Sequence, residues 1–345
     1  MREAPCAEHP TSTAFELCSE ESLGRWTERV AVELRATVDT ICGPGSQLSS
    51  LIMALANREP SQPHRLLSLM VAAALTGDPE PALPVCLASR LWWAGVDALD
   101  DLVDGHPGGD QHMSPQQLMV AATACIALPQ AVPGLWPVSG QVQRDWEREV
   151  TRANVAAAQG QLAEQLGETD EPSWAQVMAS YRDKNGAAYA RDAVMAARLA
   201  TDDPAALRGW RAFGSVFGVL RQLRNDREVP SPTDDEDLAN GVFTLELAHA
   251  LENAAPEDRA SLRVLRAQAR HDPSARARLR RALAEPDLAQ PYGRKIQAIG
   301  NRARLLLDEL AAASPHRDLL HHWVSATSAG ATQRRGAEQS RSGEG

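Results

Sequence analysis

The sequence predicts an all-α protein, and three observations carry that reading. Apolar residues recur with a period near 3.6, rather than 2, along most of the 345 residues. Ala, Leu and Arg dominate while aromatic residues make up only 4%, a composition that suits helix better than strand. Proline stands where periodic runs begin, as at Pro81, Pro172 and Pro204, and a first helical turn tolerates it.

Taken in order, the periodicity predicts helices over 22–41, 47–57, 63–75, 81–103 and 114–127, then a long one over 140–166. Others follow over 173–200, 204–227 and 245–254, with several short helices to about 325. The acidic segment 228–240, EVPSPTDDEDLAN, breaks the period and reads as a surface loop. Residues 1–20 and 326–345 are aperiodic and polar, and are expected to be disordered tails on a single helical domain over 21–325. Neither an internal repeat nor a linker divides the chain.

Composition narrows the class further. A formal net charge of −10 opposes any sequence-independent hold on nucleic acid or anionic membrane. Five cysteines, at 6, 18, 42, 86 and 125, show no CxxC or His pairing, which argues against a zinc site or a disulfide framework. No uninterrupted apolar run reaches the roughly 18–20 residues that cross a bilayer, and the N-terminus lacks a basic stretch followed by an apolar one. The expectation is a soluble, cytoplasmic protein without a membrane span.

Chemistry is concentrated at Asp97, Asp100, Asp101 and Asp104, which stand at i, i+3, i+4 and i+7 and so form one stripe on a helix. A solvated acidic helix end is the competing reading, but the run RLWWAGV just upstream, with Trp92 and Trp93, belongs in a core. Carboxylates crowded at the mouth of a buried helix call for a hard divalent cation. Gly105 to Gly109, GHPGG, then stops the helix, and His106 and His112 in this loop read as solvated. A second polar group, Gln222, Asn225 and Asp226, shares a face beside Phe217 and Val219. Two such helices facing across a bundle core could hold metal between them.

In its ordered landmarks over about residues 45–255 the chain resembles the trans-polyprenyl diphosphate synthase family. DDLVD at 100–104 is similar to that family's first aspartate-rich motif, and GQLAEQL at 160–166 to its GQ-x-x-D-L segment. Lys184-Asn185-Gly186 stands for Lys-Thr-Gly, and Phe213-Gly214 through Gln222 to Asp226 for the helix of the second motif. Asp237-Leu238, Gly241 and Thr244-Leu245 follow D-L-x-x-G-K-x-T-L.

The resemblance implies an isoprenoid-synthase-type helical bundle around a central apolar cavity, binding a linear prenyl diphosphate through three Mg2+ ions. It implies that Asp100, Asp101 and Asp104 serve two ions and Asn225 or Asp226 the third, with Asp97 and Glu228 as additional ligands; Asp97 could instead pair with an arginine. Lys184, Gln222 and Arg224 or Arg227 would meet the diphosphate, and Trp92, Trp93, Val96, Tyr189 and Phe217 would wall the cavity. Family members also suggest a homodimer.

Departures from the family pattern concern the second substrate. Where chain-elongating members carry Gly-Gly-Lys-Arg-x-Arg-Pro, this chain reads SQPHRLL at 61–67, and no arginine follows Asp104 before Arg144. Trp93 replaces a histidine, no lysine follows Gly241, and Val229 replaces the last acid of the second motif. An isopentenyl diphosphate site without those cations would bind poorly, so the sequence points to a terpene synthase that cyclises one prenyl diphosphate and releases diphosphate. The terpene-synthase pattern N-x-x-x-S-x-x-x-E is not met, since Val229 and Thr233 occupy its second and third places. Its alternatives are a prenyltransferase, elongating with isopentenyl diphosphate or serving another acceptor, and a non-catalytic subunit of a synthase.

Overall fold

Residues 20–58, 62–104, 114–166, 171–228 and 231–332 are described by a computed structural model, and among them no strand occurs. The helices are α1 (Glu20–Cys42), α2 (Gln47–Ala56), α3 (Leu67–Thr76), α4 (Leu83–Asp104), α5 (Pro115–Ala122), α6 (Leu128–Ala131) and α7 (Gly140–Leu166). Then come α8 (Trp174–Tyr181), α9 (Ala187–Ala197), α10 (Pro204–Asn225), α11 (Glu236–Asn240) and α12 (Leu245–Asn253). The chain ends in α13 (Pro256–Ala269), α14 (Pro273–Leu283), α15 (Pro286–Leu310) and α16 (Pro315–Thr332).

Side-chain caps set many of the starts. Ser114 and Ser173 each form a reciprocal capping box with the glutamine three residues on, and Asp203 accepts two backbone N–H groups at the start of α10. Such caps are worth about 1 kcal/mol each. At the centre lies α9, whose residues Ala188 to Ala197 are all buried. It packs against α3, α4, α7 and α10, and α10 in turn packs on α15 and α16. Trp92, Trp146, Trp210, Phe213, Phe217 and Tyr292 fill the interior.

Several expectations are corrected. Helix 114–127 is broken by a π-turn at Thr123–Ala127, and 173–200 by another at Arg182–Gly186. The C-terminal helices are not all short, since α15 has 25 residues and continues through Pro291. Pro291 lies early in that helix, so only one hydrogen bond is lost and the buried stripe from Tyr292 to Leu307 offsets it. The acidic loop contains the short helix α11, started by Asp235. Residues 326–332, expected in the C-terminal tail, are helical: α16 runs to Thr332 with Thr327, Ser328 and Ala331 buried. Small residues there read as unstructured, but they are small because a helix packs closely over them. The expected N-terminal tail and residues 333–345 lie outside the described residues, as do His106 and His112.

By length and composition alone, Pro115–Leu135 could cross a bilayer, with mean hydropathy 1.7. It is a broken helical run, 44% of its apolar window buried, that lies on α4 where Gly95 meets Cys125. Cys42, Cys86 and Cys125 are free thiols.

Candidate active site

The π-turn between α8 and α9 is the hinge of the site. Widening the helix by one residue lets the neighbours Lys184 and Asn185 address two different helices. Lys184 Nζ donates to Glu164 Oε2 on α7 at 2.8 Å and pairs with Asp100 Oδ1 on α4 at 3.2 Å. Asn185 Nδ2 donates to Gln222 Oε1 on α10. Gln222 Nε2 donates to Asp226 Oδ1 at 2.7 Å, and the Tyr181 hydroxyl donates to Asp226 Oδ2 at 2.5 Å. Two glycines permit this approach. A Cβ on Gly160 would stand 2.6 Å from Lys184 N, and one on Gly218 would stand 2.7 Å from Asn185 O.

Two polar groups therefore meet at adjacent residues of the π-turn: Asp100, Lys184 and Glu164 on one side, and Asn185, Gln222, Asp226 and Tyr181 on the other. The sequence placed Asp100 and Asp226 on separate helices; in the structure Asp100 pairs with Lys184, Asp226 accepts from Gln222, and Gln222 accepts from Asn185, the residue next to Lys184.

Charge in this site is unevenly balanced. Burial works against the Lys184 ammonium, yet Glu164 and Asp100 outweigh it and raise its pKa. Asp226 goes the other way: burial, reinforced by Glu164, pushes its carboxyl up to about 7 despite Tyr181, Gln222 and Arg280. Asp237 on α11 is raised well above the usual carboxylate range by burial and by Asp226, Asp235 and Glu164. Arg280, from α14, is the cation beneath them; it pairs with Asp235 and donates to the Asp226 carbonyl at 2.9 Å.

Of the acids named from sequence, Asp97 pairs with Arg65 at 3.4 Å and Asp101 with Arg58 at 3.6 Å, so the arginine alternative for Asp97 is the one observed. The Asp104 side chain lies outside the described residues. In the second motif Asp226 is buried and Asn225 exposed, which separates two residues that sequence left equivalent. Arg224 and Arg227, expected to meet the diphosphate, have partners within the protein. Arg224 pairs with Glu228 at 2.7 Å and lies against Gly330, while Arg227 is buried on Glu246 at 2.8 Å with its guanidinium 5.0 Å from the Tyr292 ring centre. Glu228 is accordingly engaged by Arg224.

The residues expected to wall a cavity pack on one another. Trp92 meets Trp93 edge-on at 4.8 Å between ring centres, Trp93 lies 5.6 Å from Tyr189, and Tyr189 lies 5.4 Å from Phe217. Val96 is half-buried beside them. Edge-to-face aromatics present negative ring faces and suit positive charge nearby.

The expected loss of cations around a second substrate also needs correction. A cleft of about 100 Å³ opens beside the stripe, lined by Arg58, Arg65, Arg90, Trp93, Asp97 and Asp101 among others. Arg65 lies over the Trp93 ring at 3.8 Å. Only Arg65 belonged to the quoted segment; Arg58 stands three residues before it, and Arg90 comes from α4. His64, next to this group, is held neutral, its pKa lowered well below 6.5 by burial and by Arg221, Arg65, Arg224 and Arg90. Sequence reasoning also gave no role to Glu164, Tyr181 or Asp237. Glu164 stands at the acid position of GQLAEQL and Asp237 in the Asp-Leu landmark, so a signal existed for both; Tyr181 had none.

Magnesium fits this donor set in one particular way. Among the described residues no three His, Cys, Asp or Glu side chains converge as a ready-made metal cage. Mg2+ is commonly held by one or two carboxylates with substrate phosphates completing its shell. Asp226 and Asp237 resist ionising together, and a divalent cation removes that resistance. Asp100, Asp226 and the neighbouring acids therefore suit ions that arrive with a diphosphate.

No protein-family model and no curated protein matches the chain. Solved structures match over nearly its whole length. Geranylgeranyl pyrophosphate synthetase from Pyrococcus horikoshii Ot3 is 16% identical, covering 90% of this chain and 98% of its own, with a TM-score of 0.75. Polyprenyl synthetase from Streptomyces coelicolor A3(2) is 18% identical over 90% and 99%, with a TM-score of 0.74. Geranylgeranyl pyrophosphate synthase from Corynebacterium glutamicum, solved with isoprenyl diphosphate and magnesium, is 18% identical over 91% and 99%, with a TM-score of 0.71. The chain thus has the all-α isoprenoid-synthase fold.

Proposed function

We propose that this protein is a magnesium-dependent prenyltransferase that ionises a linear allylic prenyl diphosphate and joins the prenyl group to isopentenyl diphosphate. The observation that carries the reading is that neighbouring Lys184 and Asn185 tie the two acidic helix ends to one turn, Lys184 holding Asp100 and Glu164 while Asn185 holds Gln222 and through it Asp226. Bound Mg2+ would supply neutralising charge for the departing diphosphate. Lys184, fixed by two carboxylates, places an ammonium beside the same oxygens and needs little reorganisation when charge develops there. Trp93, Tyr189 and Phe217 exclude water from the allylic cation and offer it their ring faces. Arg58, Arg65 and Arg90 give the second diphosphate charge-assisted hydrogen bonds in the adjoining cleft.

Cyclisation of a single prenyl diphosphate is the second reading. It is favoured by Trp93 in place of a histidine and by the Asp97 and Asp101 carboxylates that partly neutralise the arginine cleft. Incubation with Mg2+ and geranyl, farnesyl or geranylgeranyl diphosphate separates the two. Product that needs isopentenyl diphosphate supports transfer, hydrocarbon or alcohol without it supports cyclisation, and silence in both supports a non-catalytic subunit. Asp100→Ala is expected to lower turnover at least a hundredfold in either enzymatic case, and full activity in that variant defeats the metal assignment.

We also infer a homodimer. Met119 is 69% exposed, Ile126 57%, Val155 53% and Leu162 55%, and a second copy of the chain would take such side chains out of water.

A further inference from the structure

Beneath the second acidic helix end lies a buried ionic layer, and its centre is an arginine that arrives from far along the chain. Arg280, on α14, stands 54 residues beyond Asp226. Its guanidinium pairs with Asp235, donates through Nη2 to the Asp226 main-chain carbonyl at 2.9 Å, and lies 3.5 Å through Nη1 from Glu246 Oε2. Arg227 donates to the other oxygen of Glu246 at 2.8 Å. Arg227, Asp235, Glu246 and Arg280 are each no more than 7% exposed.

Each acceptor of Arg280 sets a different piece of the site. Asp226 caps the C-terminal end of α10, where the last carbonyls of a helix lack partners and carry partial negative charge. Asp235 starts α11 by accepting from the Leu238 N–H, and Glu246 stands in the first turn of α12. One planar fork therefore ties three element ends together. It holds Asp226 by the main chain, which leaves the carboxylate to Tyr181 and Gln222. Asp237, two residues beyond the cap, has no hydrogen-bond or ion-pair partner among the described residues, and the charges of Asp226, Asp235 and Glu164 bear on it. Its aim is set by how α11 is seated. Buried ion pairs add little stability compared with an apolar core, so a layer this costly points to a role in geometry.

We propose that Arg280 is a positioning residue: by gripping the Asp226 carbonyl and the Asp235 cap together it fixes the spacing of Asp226 and Asp237, and with it the affinity for the divalent cation that accompanies a diphosphate. That role depends on the diphosphate reading and adds to it a residue that touches neither substrate nor ion. Groups that orient metal ligands are commonly worth roughly 10- to 100-fold in metal affinity. Lysine at 280 keeps a charge but loses the fork, because an ammonium is a point donor. The double change Arg280→Met, Asp235→Asn removes the charge together with its partner, and asparagine still serves as a cap for α11. Glu246 keeps Arg227. The double variant therefore separates geometry from stability.

The test is calorimetric titration of Mg2+ into the full-length protein with inorganic pyrophosphate, beside thermal unfolding in chelator. In both variants the Mg2+ concentration at half-saturation is expected to rise at least tenfold, with pyrophosphate affinity restored at saturating Mg2+. The double variant is expected to unfold within a few degrees of wild type in chelator. A double variant that takes up Mg2+ as wild type does overturns the positioning role and leaves the diphosphate site intact. A loss of pyrophosphate affinity that saturating Mg2+ does not repair also overturns it, since the defect then lies outside the metal. Should the double variant not fold, an Arg280→Lys protein with wild-type half-saturation overturns the role by itself. Wild type that binds no pyrophosphate at any Mg2+ concentration overturns the diphosphate reading, and this role with it.

Discussion

At the residue scale the site turns on one acid that is not fully ionised near neutrality. Asp226 has its pKa raised to about 7, chiefly by burial, so the folded protein retains this proton while an unfolded chain loses it near pH 4. The sign follows: Asp226 contributes stability that is complete below about pH 4 and lost as pH rises through 7, because the unfolded state binds fewer protons across that window. In chelator, wild type is expected to lose urea stability relative to Asp226→Asn between pH 5 and pH 8, and Mg2+ is expected to restore it at the upper end. A difference between the two proteins that stays flat with pH rules out a buried, proton-retaining Asp226. Magnesium affinity is expected to rise over the same range, since a ligating carboxylate must be ionised.

At the scale of elements the π-turn at Arg182–Gly186 matters most. It fits only because α7 and α10 present glycine to it. Gly218→Ala would place a methyl 2.7 Å from Asn185 O and 2.8 Å from Gly186 Cα. Overpacking against backbone costs about 1–3 kcal/mol, so thermal unfolding of the variant is expected several degrees lower. Turnover is expected to fall further than stability, because Lys184 and Asn185 shift together. A variant as stable and active as wild type shows that the turn tolerates the methyl.

Most helices could be read from periodicity and caps, and the long, strongly patterned α7 and α10 were placed closely. Neither π-turn could be read, since an inserted residue leaves the apolar period almost unchanged while altering which neighbour a side chain meets. The true end of α16 was hidden for a related reason: Ser328 and Gly330 look like tail residues until Gly300 and Arg224 are seen against them.

At the scale of the whole molecule, a helical bundle that buries Trp92, Trp146 and Trp210 still leaves Met119, Ile126, Val155 and Leu162 in water. Self-association is expected at micromolar concentration, and Met119→Glu with Val155→Glu is expected to give a monomer by light scattering with helix content unchanged. A wild-type monomer under the same conditions removes the homodimer.

The chain's linear order fixed the all-α class, the Asp stripe on one helix face and the second polar group on another, because helical spacing is a local property. Which acids would be buried, that Lys184 would bridge α4 and α7, and that Arg90 would join Arg58 and Arg65 were settled only when distant helices packed. Desolvation and charge pairing depend on neighbours in space, and those neighbours stand far apart in sequence, as Asp100 and Lys184 do.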